Sequence, residues 1–555
     1  MRRPAHVTTQ QAVSPPTPLP RRLAPPATRR LLRAAVPVLL TCAMAGATPA
    51  PAEASAGWVP ARWDGGPLEL QRRASHGALP ASADVQRTVR EWYDPRTLDL
   101  LQGTPINCLL VTWSVGADPD LERTQQSLVA AYARAAQARG IVVLGIVHAP
   151  APASGWLEPA LAAGLDGLIL EGTFADGDRL AADAARLLRV KRPGAVVVVP
   201  ASWSKVSASS DIVAINDAVA PGLLDLADET EATPSSEPWL ESNLWLVQSA
   251  RAVTGSRPIW LMASPSPQAM TTAEYQRAAA EAVATGSRWV LALDDTLRHG
   301  LRTKQPDARA AWEAIAAVLA LGRDQAAWSG AAVPLAVAGF VQDNAGADRD
   351  TSGANLRLTV RARVPLTVIG RRELDASALA GLRAVHAVDL SEPAAAERSV
   401  LIAFAEAGGL VLVGPSWQPG ALPAGRDFVI QPAGRGRIAV CSDGLDPAEL
   451  ARVFVDLLGR DQLGVRLFRA AAVLPHASID GRTRDASLHL VNYASYPAES
   501  VLVRIAGAFR KATLHRPGSP PEELAIEQSA GYVEITLGRL PVYGVVRLES
   551  KEGGA

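Results

Sequence analysis

At 555 residues, 48% apolar and 20% charged, the chain is too long for one ordinary core and suggests two to four domains. Its 55 basic and 55 acidic residues cancel, so nothing in the balance calls for nucleic acid or an acidic membrane surface. Arg21, Arg22, Arg29, Arg30 and Arg33 precede an apolar run, Ala34 to Ala45, and then Ala54-Ser55-Ala56. That is the charge, apolar stretch and small-residue site of an export signal, so the protein is expected to be exported, periplasmic or extracellular, with cleavage near Ala56. The run is short for a membrane span. Thr28 to Arg33 carries paired arginines, which leaves twin-arginine and general export both open. Cys42 behind Leu39, Leu40 and Thr41 could hold a lipid, although Thr41 fits that box poorly. Cys108 and Cys441 are too far apart in sequence for a disulfide framework or zinc site and read as buried, inert thiols.

Residues 57–330 alternate short apolar runs with helical periodicity, the pattern of a parallel α/β fold. Strands are expected at Asn107 to Trp113, Ile141 to Val147, Gly167 to Glu171, Ala195 to Ser202, Asp211 to Asp217, Pro258 to Ala263 and Arg288 to Asp294. Pro67 to Arg73 is available as an eighth, followed by a helix from Asp84 to about Leu101. Eight strands in a span of the usual size, about 250 residues, predict a (β/α)8 barrel. DGLILEG at 166–172 is then its fourth strand. The open doubly wound sheet competes, but no Gly-x-Gly-x-x-Gly follows any strand.

Residues 331–462 restart the alternation as a smaller Rossmann-like α/β domain. Its strands are read at Pro334 to Val341, Pro365 to Ile369, Gly409 to Gly414 and Gly436 to Cys441, with helices at Asn355 to Ala362, Glu397 to Ala407 and Pro447 to Leu458. Residues 463–555 lose the helical period, and five short alternating runs between Ser487 and Glu549 predict an antiparallel β-sandwich.

Leu488 to Tyr493 with Ala494-Ser495-Tyr496-Pro497, and Leu401 to Trp417 with its Gly409 to Gly414 strand, carry a family resemblance. The three-part build resembles glycoside hydrolases, notably bacterial β-galactosidases with an amidotransferase-like trimerisation domain. The resemblance implies a carbohydrate substrate and no cofactor, and leaves a homo-oligomer open. Amidotransferases carry a nucleophilic cysteine after such a strand, whereas this chain reads Gly414-Pro415-Ser416-Trp417, so the middle domain is expected to be non-catalytic. The resemblance also implies glutamates after the fourth and seventh strands. Glu171 fits the first but follows Leu170 rather than asparagine, and Met262-Ala263-Ser264-Pro265 supplies no carboxylate for the second.

Glycoside hydrolysis uses two carboxylates flanking the sugar, and a strand's C-terminal end is where a barrel builds its site. Glu171 is therefore the candidate acid/base, with Asp217 or Asp295 as partner and Asp294 nearby as a substrate contact. The competing reading is that these strand-end acids cap helices or pair with arginines such as Arg298. Trp113, Trp203 and Trp260 fall at or near strand ends, where rings could stack on a sugar or serve as core. His148 could orient a carboxylate, touch a hydroxyl, or be structural. No spacing supports a metal, nucleotide or serine-hydrolase site, and the acidic stretch Asp225, Asp228, Glu229 and Glu231 reads as a solvated loop. The expected function is glycoside hydrolysis. The alternative is an inactive protein of the same build that binds carbohydrate or acts as a scaffold.

Overall fold

The computed structural model describes residues 55–551, except 81, 150–155, 175–176, 207–210, 224, 227–228, 231–238, 264–269, 330–331, 344–348, 419, 421 and 424. The export signal read before Ser55 lies outside the described residues, as do Ser264 and Pro265 after the seventh strand.

Seven expected apolar runs form strands: Cys108–Ser114, Val142–His148, Gly167–Glu171, Val196–Val198, Val213–Ala218, Ile259–Ala263, and Arg288–Trp289 continued by Leu291–Ala292. The expected first strand does not form. Pro67 to Arg73 lies inside the helix Gly66–Ser75, where Glu69 pairs with Arg72 and Arg73 one helical turn on. Pro60–Arg62 takes the strand's place, paired in parallel with Cys108 to Leu110 on one side and Leu291–Ala292 on the other. Gly167–Glu171 therefore remains fourth in chain order.

Six strands pair in one parallel sheet, ordered Leu291–Ala292, Pro60–Arg62, Cys108–Ser114, Val142–His148, Gly167–Glu171, Val196–Val198. Ile259–Ala263 centres a second sheet between Val213–Ala218 and Arg288–Trp289. The two sheets meet through a single bridge, Ala201 to Ile215, and through the divided eighth strand, so the circuit of pairings is interrupted at two places. One face of these strands packs Cys108, Leu110, Leu144, Ile146, Ile169, Val198, Ala214, Trp260 and Met262 into a common cluster. These positions differ by two along each strand, as a pleated chain requires. The same parity puts His148, Glu171 and Asn216 on that face at the strands' C-terminal ends.

A third sheet follows, ordered Leu366–Gly370, Ala338–Gln342, Ala384–Ala387, Leu410–Val413, Gly436–Cys441 in parallel, with Phe428–Ala433 antiparallel on its edge. The run read as one strand from Pro334 to Val341 is divided. Ala338–Gln342 belongs here, while Ala332–Pro334 pairs antiparallel with Ser478 to Asp480 in the C-terminal sheets. Those sheets are antiparallel, six strands facing four, with Leu488, Leu490, Val501, Val503, Val533 and Ile535 packed together.

Helix Thr272–Ala284 joins this C-terminal part to the first strands. The Arg277 guanidinium donates to the carbonyls of Pro221, Asn492 and Ala494, and buried Glu281 accepts from Asn243 and from the hydroxyl of Tyr493. Burial pushes the Glu281 carboxyl up despite those donors.

His386 is fully buried between Phe340, stacked at 4.6 Å, and Phe454, edge-on at 5.5 Å, and neither ring nitrogen has a partner. A buried polar group without a hydrogen bond costs about 1–3 kcal/mol. His386→Leu is therefore expected to raise the urea midpoint at pH 7 by an amount worth about 1 kcal/mol or more. A lower midpoint would show that the imidazole is satisfied in solution.

Candidate active site

The C-terminal ends of the strands enclose a cavity of about 630 Å3 lined by Arg62, Gln71, Arg72, Ser75, His76, Val115, Gly116, Ala117, His148, Ala149, Glu171, Gly172, Pro200, Asn216, Met262 and Ala263. Seven of the eight strands, or the turns directly after them, contribute to this wall. A wider groove of about 1300 Å3 runs beside Phe404 and Ile430, but it holds no carboxylate or histidine. Convergent titratable groups at strand ends make the smaller cavity the candidate site.

Glu171 reaches this cavity because Leu168, Ile169 and Leu170 anchor its strand in the core. Gly167 lets the strand pack closely, since a Cβ there would fall 2.3 Å from the Val196 carbonyl oxygen. Gly172, at φ +101°, turns the chain away directly after the carboxylate.

Both Glu171 oxygens accept from one guanidinium: Arg62 Nη1 to Oε1 at 2.7 Å and Nη2 to Oε2 at 2.8 Å. The Nε of Arg62 donates to Asp64 Oδ2 at 2.5 Å. His148 Nδ1 lies 3.5 Å from Glu171 Oε2, and its Nε2 is buried without a partner. Behind this pair runs a buried ionic network. Glu69 is fully buried and accepts from Arg72 Nε at 2.8 Å, Arg72 Nη2 at 2.7 Å and Arg73 Nε at 2.8 Å. Arg73 Nη1 also donates to both oxygens of Asp295 at 2.8 Å, and Arg298 donates to the Asp64 carbonyl at 2.6 Å.

Burial opposes the charge on Asp64, but Arg62, Arg298 and Arg72 outweigh it and hold this carboxyl well below its usual range. Burial also opposes the charge on Arg62, and the carboxylates of Asp64 and Glu171 overcome it. His148 is different. Burial lowers its pKa, with Glu171 only partly compensating.

The structure disperses the other candidate residues. Asp217 has the opposite parity to Asn216. It points outward and is exposed, accepting from Ser202 Oγ at 2.9 Å and from the Trp203 amide at 3.1 Å. Asp294 caps helix Asp295–Arg302 through Leu297 N at 2.9 Å and accepts from the Tyr275 hydroxyl at 3.0 Å. Asp295 is committed to Arg73. None of these three lines the cavity. Trp113, on the outward parity, is fully buried with Nε1 donating to the Trp156 carbonyl at 3.0 Å. Trp260 is fully buried in the inward cluster, and Trp203 packs edge-on against Trp245 at 5.1 Å. Trp113 and Trp260 are therefore packing residues, because a ring with no exposed face cannot stack on a ligand, while Trp203 is half-buried and does not line the cavity. Glu171 and His148 are the expected residues that come together.

Arg62, Arg72 and Asn216 were not among the expected residues. Asn216 carried a readable signal, sharing the period-two register of Ile212 and Ala214. Among the described residues no group of histidines, cysteines and acids could hold a metal, and no helix is long and apolar enough to cross a membrane.

The arrangement can hold an ionised carboxylate fixed in a polar cavity. With both oxygens occupied by Arg62, Glu171 has the geometry of a carboxylate anion rather than of a proton donor. It is the one carboxylate among the described lining residues.

No protein-family model and no curated protein matches the chain. Solved structures do. Alpha-L-fucosidase isoenzyme 2 from Paenibacillus thiaminolyticus superposes with a TM-score of 0.56 at 14% identity, over 89% of this chain and 100% of that one. The exo-beta-1,4-mannosidase Op5Man5 from an Opitutaceae bacterium gives 0.45 at 12% identity over 72% of this chain and 93% of that one. A catalytic mutant of Gan42B, a beta-galactosidase from G. stearothermophilus, gives 0.35 at 10% identity over 78% of this chain and 68% of that one. The chain thus shares, over 89% of its length, the fold of the fucosidase.

Proposed function

We propose that the protein is a glycosidase that seats a sugar in the Glu171 cavity and cleaves its glycosidic bond. The observation that carries this is the place of Glu171: the end of the fourth strand, in the cavity where the strand ends meet, on a fold shared with an alpha-L-fucosidase along its whole length. In this reading residues 57–330 form a (β/α)8 barrel, 331–462 an amidotransferase-like layer without a nucleophile and 463–555 a β-sandwich, behind an export signal at 1–56. Cleavage passes through an oxocarbenium-like state with positive charge at the anomeric carbon. An ionised Glu171, its oxygens fixed by Arg62, would oppose that charge as nucleophile or stabiliser, rather than serve as the acid.

A second reading has its own support. The described cavity wall offers no second carboxylate to complete the pair that hydrolysis uses, which favours a protein that binds a sugar without cleaving it. One experiment separates the two. Purified protein is screened against nitrophenyl glycosides and for reducing ends released from polysaccharides, beside Glu171→Gln. Hydrolysis that falls at least about 100-fold in the variant is the expected result. Unchanged activity would remove Glu171 from the mechanism, and sugar binding without turnover would establish the second reading.

A further inference from the structure

The polar groups that the cavity leaves uncommitted are unevenly divided. Arg72 is held rigidly by the buried carboxylate of Glu69, which takes its Nε and one Nη, and no described residue takes Nη1. His76 spends Nδ1 on the Arg72 carbonyl at 2.7 Å, and His148 Nε2 is buried away from the cavity surface. Against these, the one carboxylate in the described wall has both oxygens on Arg62. Glu69 and Asp64 lie beneath the surface, at 0% and 2% exposure, so a ligand meets the guanidinium edge and not the acids that balance it.

A neutral sugar presents hydroxyls that donate as well as accept, and a site built for it supplies acceptors in similar number. This wall supplies acceptors too, on Glu171, Gln71, Asn216, Ser75 and main-chain carbonyls, but it adds an uncommitted guanidinium edge on Arg72 that a neutral sugar would not require. Arg72 is a planar fork preorganised by Glu69, the form that suits an oxyanion.

We propose that the cavity selects an acidic sugar, one bearing a carboxylate or a sulfate ester, with Arg72 taking the anionic group. The proposal rests on the reading of this cavity as a sugar site and narrows its substrate class.

The test is calorimetric titration of the full chain with matched sugars: D-galacturonic acid and D-glucuronic acid against D-galactose and D-glucose, and galactose 6-sulfate as the second anion. The expected result is binding of at least one anionic sugar about tenfold or more tighter than its neutral parent, the scale of one charged hydrogen bond. The uronates and the sulfate ester separate the two anion sources. Arg72→Gln should bring the ratio to near one. If that variant fails to fold because Glu69 loses a partner, Arg72→Lys, which keeps a charge but not the fork, should lower the ratio several-fold. Neutral and anionic sugars bound equally would overturn the acidic-sugar proposal and leave the sugar site standing. No binding by any of the five would overturn both.

Discussion

Arg62→Met is expected to cost about 3–5 kcal/mol of folding stability at pH 7, the scale of removing one partner from a buried ion pair. Arg62 serves two carboxylates at once, Asp64 at 2.5 Å and Glu171 at 2.7 and 2.8 Å. Asp64 is 2% exposed, and its nearest other side-chain donor is the Thr112 hydroxyl at a weak 3.5 Å. Removing the guanidinium therefore leaves a buried charge without its hydrogen-bonded ion-pair partner, with only the longer-range attraction of Arg298 and Arg72 to favour it. The measurement is the urea midpoint and slope of the wild type, Arg62→Met, Asp64→Asn and the double variant. Asp64→Asn should restore a large part of what Arg62→Met loses, giving a coupling energy above about 1 kcal/mol. A loss below that size in the single variant would show that water reaches the network.

Acidification is the second large effect. Burial lowers His386 to about 3, His476 to about 4 and His489 to about 3, and His476 lowers His489 further. An exposed histidine in the unfolded chain titrates near 6.5. Below that pH the unfolded chain takes up protons that the folded chain refuses, so stability is intact above about pH 6.5 and is lost as pH falls toward 4. Each such group contributes about 1.4 kcal/mol per pH unit in this window, and three together about 4. The Arg-paired carboxyls of Asp64 and Glu69, held low, extend the loss below about pH 4. Glu281, held high, works the other way. Urea midpoints at pH 7, 6, 5 and 4.5 should fall progressively, and His386→Leu should flatten the slope by about a third. Equal midpoints at pH 7 and 5 would refute the account.

The strands were legible because a parallel sheet covered on both faces writes itself as apolar runs, and Gly167–Glu171 was bounded to the residue. Pro60–Arg62 was not legible. Three residues are too few to show a period, and Pro67 to Arg73 shows an alternation that helix Gly66–Ser75 satisfies as well through Glu69 and its arginines. Among the expected residues, strand position brought Glu171 and His148 to the cavity wall. It failed for Asp217 because parity was not carried through from Ile212 and Ala214, which would have selected Asn216. It did not reveal that Trp113 and Trp260 are buried, because their burial depends on helices and neighbouring strands that no local pattern encodes. Arg62 and Arg72 were invisible for a related reason: each matters through a partner distant in sequence or buried beneath it.

The pairing of Ala332–Pro334 with Ser478 to Asp480 has a consequence for biosynthesis. The ribosome releases the short strand first, and its partner follows only after the whole intervening parallel sheet has been made. At about 5–20 residues per second that delay is on the order of ten seconds. Throughout it, the short strand waits with open main-chain donors and acceptors. Once Val473–Asp480 arrives, the short strand covers its outer edge, an edge that would otherwise be free to recruit another chain. Nascent chains stalled before Asp480 should therefore be the species most prone to clump, and the finished protein should not.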